Sequence, residues 1–318
     1  MNTIILGTKR HWSWIIFFLL LGLNILGAFA IQPYRIALQS FYGQAGANGS
    51  TGGTPFGLEM LMVSVQYAVF CGIGLLLANR IGLGLPFVEG WINRKPVPMN
   101  FAKIVAIAWI AAVGCAVGLY FLSSVVFDPP MIALLAKQGI AVPQAGYMPP
   151  QYGLLASFYA GVFEETFCRL LGMSLVAFVG GLLFHDSSGR PKAAVMWLAN
   201  IALALEFGIG HLRTAAGLGW PMDPLIITRS LVLNGIGGLA FGWLYWKYGL
   251  ESAMLAHFLA DVILQAMIPF TAMWQGEPAR TVATAGVVMV ILVTLIWAGR
   301  SLIPADRKDT QGGALKAA

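Results

Sequence analysis

The sequence predicts an all-α, polytopic membrane protein of about eight transmembrane helices, with both termini in the cytoplasm. Three observations predict it. The chain is 58% hydrophobic and 10% charged, where a soluble domain carries about 25% charged residues, and its mean hydropathy is +0.77. Eight apolar runs, near 13–31, 58–78, 104–127, 154–184, 194–213, 226–246, 250–270 and 281–299, are each about 19 residues or longer, enough to cross a ~30 Å hydrocarbon core. With the N-terminus inside and the runs alternating, 13 of the 19 Lys and Arg fall on the cytoplasmic side. Only Arg35, Lys137, Arg213 and Arg280 fall outside, and Arg169 and Arg229 lie within runs. A missed span would invert every later loop and destroy this asymmetry.

The first run follows Lys9, Arg10 and His11. It is too long for a signal-peptide core and no small-residue cleavage pattern follows it, so it reads as a retained span. Residues 43–55 are Gly-rich and read as a flexible external loop. The semi-apolar stretch 81–99 reads as lying along the cytoplasmic interface. Residues 128–152 read as a connection carrying Pro129, Pro130, Pro143, Pro149 and Pro150. The last two stop any helix before the fourth run. That run is over-long, about 46 Å if straight, so it must project, tilt, or break near Gly172 or Gly180-Gly181. The tail 301–318 is polar and cytoplasmic. Residues 1–318 form one membrane domain whose catalytic core helices span 154–261.

The net charge of +6 does not imply nucleic acid, because the basic residues are thinly spread and orientation explains them. The partners expected are a peptide or protein substrate and the lipid bilayer. Cys71, Cys115 and Cys168 lie within apolar runs without metal or disulfide spacing, and read as buried small hydrophobes.

The fourth run contains Glu164, Glu165 and Arg169 in GVFEETFCRL. Ionisable groups at membrane depth cost at least ~2.5–3.5 kcal/mol each on insertion scales, and by default face a protein interior or a wet cavity. The fifth run carries Phe207 and His211, and the seventh His257 and Asp261. These pairs, like Glu165 and Arg169, have i, i+4 spacing and so share a helix face. Glu164 lies about 100° around the helix from Glu165 and can point elsewhere.

A single buried His or one Glu–Arg pair is usually structural. Three separate spans carrying Glu-Glu, His and His/Asp point instead to chemistry. A buried carboxylate can take a proton from water, an imidazole can orient that water, and a second His with its neighbour can stabilise an oxyanion. Alternatively His211, His257 and Glu164 could hold Zn²⁺ and leave a fourth position for water. Glu59, Glu206 and Arg229 have no evident partner in the sequence, Glu206 standing next in interest beside Phe207. Asn200 and Asn234 read as interhelical hydrogen-bonders, Gly238 and Gly242 as a close-packing seam, and His185 as interfacial.

These residues carry a resemblance. EETFCR at 164–169, FGIGH at 207–211 and HFLAD at 257–261, preceded by GLESAMLA, resemble in order the EExxxR, FxxxH and HxxxN/D motifs of the CPBP family, the CAAX proteases and bacteriocin-processing enzymes also called Abi. The likeness covers roughly 154–261. It implies an eight-helix intramembrane endopeptidase of the bacterial-type cytoplasmic membrane, with its site in a conical cavity. In that reading Glu164 activates water together with His211, and His257 and Asp261 form the oxyanion side. Glu165, Arg169 and Phe207 support the site, Glu165 pairing with Arg169. The family implies either no cofactor or Zn.

Asp261 departs from the Asn usual in the prenyl-protein members. An ionised Asp cannot donate a hydrogen bond, so it must be protonated, bind metal or orient His257, and the last reading is favoured. Ideal helices also leave His211 near the outer end of its span and His257 in the inner half of its own, more than ~10 Å apart in height. Two non-proteolytic readings remain: a membrane scaffold or immunity protein of the same fold, and a proton-coupled carrier, which ranks last for want of an inverted repeat.

Overall fold

The computed structural model describes residues 12–42, 55–94, 100–140, 148–274, 276 and 278–302. Lys9, Arg10 and His11, most of the Gly-rich loop 43–55, Pro143 and all but the first two residues of the tail lie outside them. Among the described residues eight helices are long and apolar enough to cross a membrane: α1 (Trp14–Tyr42), α2 (Phe56–Ile81), α4 (Phe101–Lys137), α5 (Pro150–Leu183), α6 (Ala193–Gly217), α7 (Pro224–Tyr248), α8 (Leu250–Met273) and α9 (Ala279–Leu302). A short helix, α3 (Pro86–Ile92), sits between α2 and α4. All eight expected spans are present, and no strand occurs among the described residues. The protein is an integral, multi-pass membrane protein.

Local chemistry sets the helix ends. Gly82 closes α2 with φ +79° and returns its N–H to Ala78 O, a left-handed cap that only Gly adopts cheaply. Asn100 opens α4 by accepting from Lys103 N, and Asp223 opens α7 by accepting from Leu225 N ahead of Pro224, a first-turn position that needs no N–H donor. Between α5 and α6, Asp186 Oδ1 accepts from Ser188 Oγ, Ser188 N and Arg190 N. The Ser188 hydroxyl, then the Arg190 amide, hold its carboxyl below the usual carboxylate range.

One sequence expectation is corrected here, and one of the three alternatives for the over-long α5 is removed. Residues after Phe127 do not begin a loop, because α4 runs on through Asp128 to Lys137. A π-helical turn at Ser123–Phe127 resets the hydrogen-bond register, so Pro129 and Pro130 occupy the first turn of a new segment, where a proline is tolerated. Nor does α5 break at its glycines. It widens into π turns at Ala160–Glu164 and Thr166–Met173, a feature that concentrates at functional sites.

Cross-helix contacts fix the directions of the spans. Asn24 bonds Thr166 while Gly27 lies against Tyr159, so α1 and α5 are antiparallel. Tyr67 meets Phe163 and Phe70 meets Phe167, so α2 runs with α5. Gly153 abuts Gln265 and Gly161 abuts Phe258, so α8 runs against it. Gly208 meets Leu231, and Gly238 meets Ala204, making α6 and α7 antiparallel. The expected small-residue seam is real: a Cβ on Gly238 would lie 2.8 Å from Ala204 Cα, and one on Gly242 would overlap Asn200. Asn200 bridges helices to Leu239 O at 3.0 Å. Asn234 does not, since its amide returns to Ser230 O within α7.

The largest buried cluster lies toward one end of the bundle and a smaller one, Met131, Leu135, Ala215 and Ile226, toward the other. Leu75, Ala78, Ile81, Ala108, Met173, Ala177, Met196, Leu244, Tyr245, Leu250 and Ala253 form one cluster at a single end of the bundle. The stretch after α2 joins it. Leu83 and Leu85 are buried in the same cluster, and Leu250 N donates to Gly84 O. Residues 81–86 are thus buried against the bundle, while Trp91, Asn93 and Arg94 are exposed.

Candidate active site

The site begins on the widened turns of α5. Glu165 is fully buried, and its Oε2 lies 3.3 Å from Arg169 Nε. Arg169, 1% exposed, also donates from Nη2 to Gly238 O on α7 at 3.0 Å and rests over the Phe207 ring at 5.3 Å. The pairing of Glu165 with Arg169 is therefore present. Glu165 has a second partner that the sequence did not suggest: its Oε1 accepts from His257 Nδ1 at 2.8 Å.

That bond fixes the imidazole of His257. The ring stacks on Phe241 with centroids 4.6 Å apart and planes at 17°, and meets Phe207 edge-on at 5.7 Å. With Nδ1 committed to Glu165, Nε2 lies 3.7 Å from Glu164 Oε2 and 3.8 Å from Asp261 Oδ2. Both separations exceed a hydrogen bond and suit one water held among three polar groups. The expectation that Asp261 orients His257 is corrected. Glu165 does so, and Asp261 accepts instead from Gln265 Nε2 at 2.9 Å.

His211 stands one turn beyond Phe207 on α6. Its Nδ1 donates to Phe207 O at 2.8 Å, leaving Nε2 as an acceptor when the ring is neutral. Its ring packs edge-on against Phe207 at 4.6 Å. Phe207 thus touches both imidazoles and spans the height difference that ideal helices leave between them. Glu164, Phe207, His211, His257 and Asp261 all line one cavity of about 1160 Å³. Glu206 does not; its carboxylate turns to Cys168 at 3.8 Å.

The possible metal set, His211, His257 and Glu164, is not assembled. Among the described residues no three His, Cys, Asp or Glu side chains are grouped to hold a metal ion. Phe207 packs against both imidazoles, while Glu164 Oε2 and His257 Nε2 stand 3.7 Å apart, close to the spacing of two ligands that each lie about 2.0–2.2 Å from one zinc. The residues as they stand supply that pair and not a group of three ligands.

Two polar pairs further along the cavity wall were not read from the sequence. Arg229 Nη2 lies 3.1 Å from Asp128 Oδ1 and donates to Ser123 Oγ at 2.9 Å. Arg35 lies 3.4 Å from Glu59. Asp128 escaped notice because it was assigned to a loop. The Phe241 platform was hidden among ordinary apolar residues of α7, with no signal to single it out.

Residues 147–263 match the family model of type II CAAX prenyl endopeptidases, Rce1-like. The match spans α5 to α8 and contains every residue that carries the CPBP resemblance, with which it agrees. It supports an intramembrane endopeptidase at the family level. No curated protein and no solved structure matches the chain. Within the Rce1-like segment, Glu165, Arg169 and Phe241 hold the imidazole of His257, while Glu164, His211 and Asp261 face open space.

Proposed function

We propose that the protein hydrolyses a peptide bond of a lipidated or hydrophobic polypeptide by attack of a glutamate-activated water. The observation that supports this most is the convergence of Glu164, His211, His257 and Asp261 on one cavity, with His257 locked from behind by Glu165. A water between Glu164 and His257 would lie within reach of both.

Glu164 takes a proton from that water as its oxygen bonds to the scissile carbonyl carbon. His211, with Nε2 free, accepts from the same water and aims it. His257 in its cationic form donates from Nε2 to the oxyanion while Nδ1 stays with Glu165. Glu164 then returns the proton to the departing amine, the C–N bond breaks, and acid and amine products leave. No step passes through a metal.

The test is the full chain in lipid vesicles, wild type against Glu164→Gln, followed by proteomic comparison of membranes producing each. The expected result is a set of cleaved species present only with the wild type. Identical cleavage by both forms would end the proposal.

A further inference from the structure

Among the described residues the largest buried cluster lies on one side of the site, and on the other lies the cavity, flanked by a smaller buried cluster of Met131, Leu135, Ala215 and Ile226. Below His257 and Phe241 lie Leu244, Tyr245, Leu250, Ala253 and Met173, each 1% exposed or less. The turn after α2 closes the same end. Leu250 N donates to Gly84 O, and Glu251 Oε1 accepts from Phe87 N at 2.6 Å and Val88 N at 3.2 Å, stapling α3 under α8. In the opposite direction the cavity wall continues past the carboxylates to Leu38, Glu59, Asp128, Leu218 and Trp220. These residues stand at the end of α1, the start of α2, the far part of α4 and the turn after α6. The antiparallel alternation of the spans puts all of them at one face of the bundle.

The charges identify that face. Among the described residues, Arg80, Arg94, Lys103, Arg190, Lys192, Lys247 and Arg300 stand at the sealed end, and Arg35, Lys137, Arg213 and Arg280 at the open end. Arg35 is partnered by Glu59. Six further basic residues, Lys9, Arg10, Lys95, Arg307, Lys308 and Lys316, adjoin sealed-end segments in the sequence. Lys and Arg in short loops stay on the cytoplasmic side. The end packed with core is then the cytoplasmic end, and the open end faces away from the cytoplasm.

We infer that the cavity admits its substrate from the non-cytoplasmic side, so that the peptide bond cut belongs to a hydrophobic segment of an exported or membrane-anchored polypeptide exposed on that side, not to a cytosolic protein's lipidated C-terminus. This rests on the hydrolase reading for the word "cut", but the direction of opening stands independently of it. A cytosolic C-terminus would have to pass the sealed layer formed by Leu244, Tyr245, Leu250 and the 82–85 turn to reach Glu164.

The experiment is thiol labelling of the full chain in the plasma membrane of intact bacterial cells with a membrane-impermeant maleimide. Gln138→Cys lies at the open end, Thr214→Cys on the cavity wall near its mouth, and Ser187→Cys in the turn between α5 and α6 at the sealed end; all three positions are exposed. The unsubstituted chain supplies the blank: Cys71 and Cys168 are buried, and Cys115, half-buried, lies within the membrane-spanning part of α4. Gln138→Cys and Thr214→Cys should label in intact cells, and Ser187→Cys only after permeabilisation. Labelling of Ser187→Cys in intact cells, or failure of either of the other two to label before permeabilisation, overturns the inference. Labelling needs no turnover. An inert protein with the expected pattern therefore removes the hydrolase reading alone, and an active one with the reverse pattern removes this inference alone.

Discussion

His257 donates from Nδ1 to Glu165 Oε1 across 2.8 Å, joining α8 to α5 over 92 positions of sequence. The same carboxylate meets Arg169 through its other oxygen. One buried anion therefore holds the imidazole in a single orientation and compensates a guanidinium that is itself 1% exposed. Its two duties can be separated by substitution. Glu165→Gln keeps an oxygen to accept from Nδ1 but loses the charge facing Arg169. Glu165→Ala loses both, and either variant leaves an uncompensated buried cation, a change that costs about 3–5 kcal/mol. Both variants are expected to lose thermal stability, the alanine variant the more. The glutamine variant should assemble, with kcat lowered about 10–100-fold and KM little changed. Denaturation midpoints in detergent and steady-state kinetics read the two effects. A glutamine variant as stable as the wild type would remove the charge-compensating role.

Glu164 differs from its neighbour in exposure as well as direction. Its side chain is 23% exposed and faces the cavity, while that of Glu165 is fully buried. Glu164→Gln keeps the shape, removes the base, and leaves the Arg169 pair untouched. Its denaturation midpoint should match the wild type and its turnover should fall by about 10²–10⁴-fold, the usual contribution of a positioned general base. A fall in stability of the same size as for Glu165→Ala would mean that the residue supports the fold.

The scatter of the candidate ligands leads to a metal prediction. No group of three His, Cys, Asp or Glu side chains is assembled among the described residues, and His211 is committed through Nδ1 to Phe207 O. Elemental analysis of purified, active full-length protein should find zinc well below one per chain, and chelator treatment should leave turnover unchanged. Stoichiometric zinc whose removal abolishes activity, with restoration on re-addition, would show that the cavity closes around a metal.

How far the site could be read from the sequence follows from how local each signal is. Span length and charge alternation depend only on nearby residues, and all eight helices were legible from them. The pairs Glu165–Arg169 and His257–Asp261 were legible as shared helix faces for the same reason. The partner of His257 was not. Asp261, four residues away, was the nearer candidate, while Glu165 reaches it only because α5 widens into π turns around 160–173 and because Gly161 lets α8 approach. Asp128 was misread because a double proline resembles a helix stop unless a register shift precedes it.

That close approach can be tested. A Cβ on Gly161 would lie 2.8 Å from Phe258 Cβ and 2.9 Å from Met254 O, inside contact distance on both sides of the α5–α8 crossing. Gly161→Ala must push the helices apart by a few tenths of an ångström, with an overpacking cost of about 1–3 kcal/mol. The displacement is transmitted to Glu165 and His257 one turn away, so turnover should fall more than stability. Gly118→Ala is the control, since nothing lies within 4 Å of the added methyl, and it should be neutral in both assays. An active Gly161→Ala protein with unchanged stability would show that α5 and α8 are farther apart than this crossing.

Asp261 gives the last prediction, and it turns on the departure from Asn. Its Oδ2 accepts from Gln265 and is too far from His257 Nε2, at 3.8 Å, to orient it. Asp261→Asn can keep the bond to Gln265 through its carbonyl oxygen and present an N–H₂ donor to the cavity. The amide N–H₂ can donate to an oxyanion from the same place, so the variant should retain turnover. Asp261→Leu, of similar bulk but without polar atoms, should lose about 10²–10³-fold in kcat, the usual effect of removing one oxyanion donor. Rescue by Asn and not by Leu identifies hydrogen bonding as what position 261 supplies. Loss of turnover in both variants would mean that the negative charge itself is needed, and the division of labour between Glu165 and Asp261 would have to be reversed.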